Sequence, residues 1–254
     1  MGSWSHPQFE KSSGLVPRGS MTRRWYLCCS RHHLDTVPED SDGIVVPVTE
    51  HGVATLLPRY PETYEVEDIV DVAKDRGLSV QALMDFTCAG CEHLSPDGYP
   101  SLRSTLDYLA SDLEVDGVVV ADPYLVEVLA TEYDLTVVVS HTAAVDTPEK
   151  AWHFERLGAD VITVDPALNS NEEEVSAIRE RVSVELRTAV GAITFRDPVA
   201  FFERNLFSHA TAEGIEVDPY RNNPYEPMRE RVVVWEVREE LFDEVFILAS
   251  GEPP

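Results

Sequence analysis

Three β-branched runs in the middle of the chain, VVVADP (118–123), VVVSHT (137–142) and VITVDP (161–166), each finish on a polar residue and lead into a helical pattern. Apolar runs this short and unbroken suit strands buried on both faces of a parallel sheet, because alternation appears only where one face meets water. Further apolar runs at 25–29, 43–48, 78–86 and 182–190 extend the series to seven strands. Late runs at 232–237 and 245–248 add candidates for an eighth that completes a ring. Between the strands lie helical patterns. Residues 65–76 put Val66, Ile69, Val70 and Ala73 on one face and stop at Gly77. Helices over 102–113, 124–132, 147–157 and 171–181 follow. Thr147 is placed to cap the fourth, with Pro148 at its first turn, and Glu172, Glu173 and Glu174 complement the positive end of the fifth. Residues 195–209 read as an aromatic-rich helix or loop, and 219–227, dense in Pro and Asn, as an irregular crossing.

Seven or eight strand-helix units predict an α/β fold, a (β/α) TIM-like barrel of parallel strands that is irregular toward its C-terminus. An open doubly wound sheet is the alternative, but neither GxGxxG nor GxxxxGK occurs to support it. In both architectures the ligand crevice lies at the carboxyl ends of the strands. Asp122, His141 and Asp165 would gather at that rim. A histidine oriented by a carboxylate acts as a general acid/base or a metal ligand, whereas a lone strand-end histidine is often only hydrogen-bonded structure. Glu185 and Arg187, at alternate positions of the seventh strand, share a face. They form either a clamp for a carboxylated substrate or a buried ion pair.

Charge sharpens this picture. WSHPQFEK (4–11) and LVPRGS (15–20) read as an affinity tag and a protease scar, leaving 21–254 as a single barrel domain. The chain carries 46 acidic against 20 basic residues, a net charge of −26, and its lysines are Lys11, Lys74 and Lys150 alone. Such a surface repels phosphate backbones, so direct nucleic-acid binding is not expected. It reads instead as a halophilic surface, or as one made for a basic partner. Salt screens self-repulsion, so the thermal midpoint should fall in dilute buffer and rise in molar salt; equal midpoints would count against the halophilic reading. No stretch approaches the roughly 18 apolar residues of a membrane span, and a cytoplasmic location is expected.

All four cysteines follow two predicted strands: Cys28 and Cys29 the first, Cys88 and Cys91 the third. Four thiolates suit an iron–sulfur cluster or, alternatively, zinc. Neighbours along a strand point to opposite faces, so only one of Cys28 and Cys29 faces the barrel. A three-cysteine site, or one completed by His32, His33, Glu92 or His93, fits as well. The remaining readings are a redox pair at Cys88 and Cys91, and inert buried thiols.

The segments LDYLASDLEVDGVVVADPYLVEVL (106–129) and VVVSHTAAVDTPEKAWHFERLGADVITVDPALNSNEEEVSAIRE (137–180) resemble the peptidase U32 family, and FFERNLFSHA (201–210) resembles the segment after that family's seventh strand. Asp122, Ser140, Asn169, Asn205 and His209 carry the match. The resemblance implies a barrel-like fold and a group in which several members perform oxygen-independent hydroxylation of RNA bases or quinones, often with an iron–sulfur cluster. The chain departs from the pattern at AVGAITFRDPVAFF (189–202), which lacks the cysteines usual there, and at Ser170 and Asn171, where an arginine is often found.

The sequence thus favours an enzyme, a U32-like barrel performing a redox modification of a small polar substrate. Its site would draw on Asp122, His141, Asp165, Glu185 and Arg187 with a cysteine-bound cluster or metal. The alternatives are a non-catalytic accessory subunit working with a protein partner and, third, a peptidase. A serine-protease reading of Ser140 and His141 lacks a GxSxG elbow.

Overall fold

The computed structural model describes residues 22–55, 57, 59–88, 95–191, 194–195, 200–213, 215, 232–233 and 236–248. The segment read as a tag and scar, and the crossing at 219–227, lie outside the described residues.

The chain alternates strand and helix: β1 (Arg23–Leu27), α1 (Arg31–Thr36), β2 (Gly43–Pro47), α2 (Thr63–Asp75), β3 (Ser79–Met84), α3 (Gly98–Ser111), β4 (Gly117–Val120) and α4 (Pro123–Glu132). It continues through β5 (Thr136–Val139), α5 (Pro148–Leu157), β6 (Val161–Thr163), α6 (Glu172–Arg181) and β7 (Glu185–Val190). Then come β8 (Thr194–Phe195), α7 (Ala200–Ala212), β9 (Val232–Val233) and β10 (Glu244–Ile247). Eight parallel strands close in the order β1-β10-β7-β6-β5-β4-β3-β2, a TIM-like α/β barrel. The eighth barrel strand is β10, wedged in parallel between β1 and β7. The other late run provides β9, which instead pairs antiparallel with β8.

The β-branched runs are continuous because each strand feeds two cores. Val118, Val120, Val137, Val139 and Ile162 face the helices, while Val119, Val138 and Val161 fill the barrel with Trp25, Leu27, Val45, Leu83 and Phe246. Helix ends follow local chemistry. Thr147 accepts a hydrogen bond from the Lys150 amide at 3.3 Å and α5 stops at Gly158, while Asn171 caps α6 ahead of its three glutamates. Residues 31–36 form a helix that hydrophobic periodicity does not reveal, since six residues bury only Leu34; Ser30 starts it by accepting from the His33 amide at 3.2 Å.

Candidate active site

Asp122, His141 and Asp165 do follow three neighbouring strands at the carboxyl end. Each carboxylate, however, accepts from an amide of its own turn: Asp122 from Tyr124 at 2.8 Å, Asp165 from Ala167 at 2.9 Å. They cap the helical turns that begin there. His141 is buried, with Nδ1 3.5 Å from Ser140 Oγ.

The polar centre of this rim is Asp85, directly after β3, which the sequence reading passed over. It is fully buried, and five donors converge on it: the amides of Ala54 (3.1 Å) and Thr55 (3.3 Å), and the hydroxyls of Thr55 (2.6 Å), Ser140 (2.8 Å) and Thr142 (3.0 Å). A buried carboxylate is tolerable only when so satisfied, and each donor binds a charged acceptor more strongly than a neutral one. Asp85 therefore welds the loop after β2 to the turn after β5. The signal was present in the sequence, because the run ALM (82–84) ends on Asp85 just as the later runs end on Asp122 and Asp165.

Helix α7 lies across the mouth and is fixed there by two hydroxyls. Thr211 Oγ1 accepts from the Val53 amide at 3.0 Å and lies 2.9 Å from the Val53 carbonyl. Ser208, fully buried, accepts from the amides of Thr87 (3.0 Å) and Cys88 (3.1 Å), with the Cys88 carbonyl at 3.1 Å from its Oγ. The approach is close enough to require glycine at position 52. With φ at +82°, a Cβ there would meet the Ser208 carbonyl at 2.8 Å and the Ala212 nitrogen at 2.9 Å. This clamp brings Cys88, half-buried, beside the exposed His209, with Sγ 4.0 Å from Nδ1. One helical turn along α7 opens a cleft of about 490 Å³ whose lining includes Glu50, Arg59, Tyr60, Thr211, Ala212 and Ile215.

The other cysteines diverge. Cys28 packs outward with Leu34 and Ile44, whereas Cys29 points into the barrel with Leu27 and Val53. Burial pushes both thiols up to about 12; Arg76 opposes this weakly at Cys28, and Cys28 itself adds to it at Cys29. Just beyond β1, the two thiols pack into separate cores and do not converge on one ion, so the pair does not fit a four-thiolate cluster or zinc site. Cys91 lies outside the described residues, and among the described residues no group of three metal-ligating side chains converges.

Glu185 and Arg187 are not at the carboxyl rim. They point into the barrel at its amino end, because β7 begins at Glu185. Arg187 is fully buried, donates to Glu244 at 2.6 Å and to Gln81 at 2.9 Å, and lies 5.1 Å from the centre of the Trp25 ring. Arg23 bridges Glu244 at 2.7 Å and also pairs with Glu185. Burial, reinforced by Glu244 and Asp243, pushes the Glu185 carboxyl up against the pull of Arg23. This group is a charged floor to the barrel rather than a substrate clamp.

No family profile matches the sequence. An uncharacterized protease of Methanocaldococcus jannaschii is 33% identical over 174 residues, covering 68% of this chain and 51% of that protein. The chain thus spans about half the length of the curated relative it matches. A solved structure described as that of a U32 peptidase is 98% identical over the full length of both chains and superposes with a TM-score of 0.87. No helix among the described residues is long and apolar enough to cross a membrane. Both relatives and the closed parallel barrel agree with the resemblance carried by residues 106–129 and 137–180, and the chain belongs to the peptidase U32 family.

Proposed function

We propose that the chain is a thiol-dependent peptidase with Cys88 as nucleophile and His209 as general base. What carries this reading is the 4.0 Å approach of Cys88 Sγ to His209 Nδ1 at the solvent-reached mouth, beside a cleft. The protease and peptidase descriptions of the two relatives point the same way. Thiolate, not thiol, is the nucleophile, and a neighbouring imidazole supplies it by taking the proton. The Sγ proton passes to Nδ1, and the thiolate adds to the scissile carbonyl carbon. Collapse of the adduct breaks the C–N bond, and the amine leaves with the proton from the imidazolium. Water then adds to the thioester, its proton going to His209, and the C–S bond breaks to release the acid and restore the thiol. Ser208 acts as a positioning residue: by holding the Cys88 backbone from the position before His209, it fixes the nucleophile relative to its base.

The hydroxylation expected from the sequence would need a cluster; the divergence of Cys28 and Cys29 argues against a four-thiolate set, and a three-cysteine site that includes Cys91 lies outside the described residues. No step here runs through a metal.

Cleavage of an unfolded protein substrate by wild type, Cys88→Ala and His209→Ala provides the test. Loss of turnover in Cys88→Ala and a fall of about 10²-fold or more in kcat for His209→Ala are expected. Undiminished cleavage by Cys88→Ala would overturn the reading. Iodoacetamide, with labelled sites mapped by mass, should modify Cys88 well before the buried Cys28 and Cys29.

A further inference from the structure

The cleft beside the Cys88–His209 pair has its own recognition chemistry. Glu50 is an exposed carboxylate contacted at both oxygens: Oε1 accepts from the Thr63 hydroxyl at 3.2 Å, and Oε2 lies 3.3 Å from that of Thr105, whose proton the Ser101 carbonyl shares at 3.3 Å. Thr105 is in turn backed by buried His51, whose Nε2 lies 2.9 Å from its hydroxyl. An exposed glutamate ordinarily samples many rotamers, so this bracing supplies beforehand an order that binding would otherwise have to impose. The same cleft is lined by Tyr60, Ala212 and Ile215, the last 58% exposed. The guanidinium of Arg59, the cation in the lining, is held by Glu65 at 2.5 Å. A braced carboxylate in a cleft that an aromatic residue also lines suits an ammonium group, which pairs with carboxylates and is attracted to aromatic rings.

We infer that Glu50 selects peptides bearing an ammonium group, from a lysine side chain or a free amino terminus. The inference rests on the thiol-peptidase reading for what the recognition serves. The net charge of −26 draws such peptides in at long range.

Binding measured in Cys88→Ala, which removes turnover, separates the local site from the global field. Fluorescent alanine-rich peptides would carry a single lysine with an acetylated amino terminus, a single norleucine with an acetylated amino terminus, or norleucine with a free amino terminus. In about 0.5 M salt, where fields beyond a few ångströms are screened, the ammonium-bearing peptides should bind about tenfold tighter than the blocked norleucine peptide. Adding Glu50→Gln, which is close in shape and solvent-exposed, should remove most of that preference. The two ammonium arms tell which source is read. No preference, or a preference that survives Glu50→Gln, overturns the inference. If it fails while wild-type cleavage still depends on Cys88, the peptidase reading stands; if Cys88→Ala still cleaves, that reading falls whatever the cleft binds.

Discussion

The two ends of the barrel bury charge in opposite ways. At the amino end, charges meet opposite charges: Arg187 and Arg23 both pair with Glu244, and Arg23 also with Glu185. At the carboxyl end, among the described residues, Asp85 is met by neutral donors, two amides and three hydroxyls from loops on either side. An ion pair needs only its partner, and a buried one is often replaceable by apolar groups of similar volume at no loss. A carboxylate held by loop amides instead dictates the shape of those loops. The floor therefore bears on whether the barrel is stable, and the mouth on where its reactive groups stand.

The sharpest way to break the comparison is at the floor. Glu244→Leu leaves Arg187 buried without its anion and should cost about 3–5 kcal/mol in urea unfolding, whereas Arg187→Met combined with Glu244→Leu should recover most of that loss. If the double variant is as unstable as the single, the floor is more than a paired charge. At the mouth, Asp85→Asn keeps the volume but turns amide hydrogens toward donors. A smaller cost, about 2–3 kcal/mol, is expected, together with faster hydrogen exchange at Ala54 and Thr55 and weaker Cys88-dependent turnover. Equal losses of stability and activity at both ends would erase the distinction. The smallest effect concerns pH. Because the Glu185 carboxyl is raised in the folded protein, its contribution to stability is present in full below the ordinary carboxylate range and is lost as pH rises through its elevated range. Half-exposed, it is strongly screened, so Glu185→Gln should gain at most a fraction of a kcal/mol on wild type between mildly acidic and neutral pH. Melting curves at paired pH values check the sign.

What the sequence made legible follows from where information is local. Runs such as Val118–Val120 revealed the barrel because both faces of each strand are buried. Strand alternation alone foresaw that Cys28 and Cys29 would part, and the shared face of Glu185 and Arg187 was equally readable. Which end of the barrel that face served was not, because it depends on where β7 begins: a strand read over 182–190 starts only at Glu185. Asp85 is not legible in the sequence because its donors lie 30 and 31 residues before it and 55 and 57 after, so its solitary charge reads as one more strand-end aspartate. The pairing of Cys88 with His209 spans 121 residues, and the hydroxyls of Ser208 and Thr211 that hold α7 to the mouth find their partners 120 to 158 residues away, beyond any local pattern.

Those same spans have a consequence for how the molecule is made. Thr211 holds Val53 across 158 residues, and β1 finds its second neighbour only when β10 arrives. During synthesis from the amino terminus, Cys88 emerges long before the helix that brings His209 and Ser208 to it. The nascent chain therefore carries Cys88 without His209, and the two side chains meet only after translation has passed α7 and that helix has docked. On the thiol-peptidase proposal, such a chain would be inert toward polypeptides while it is itself an unfolded one.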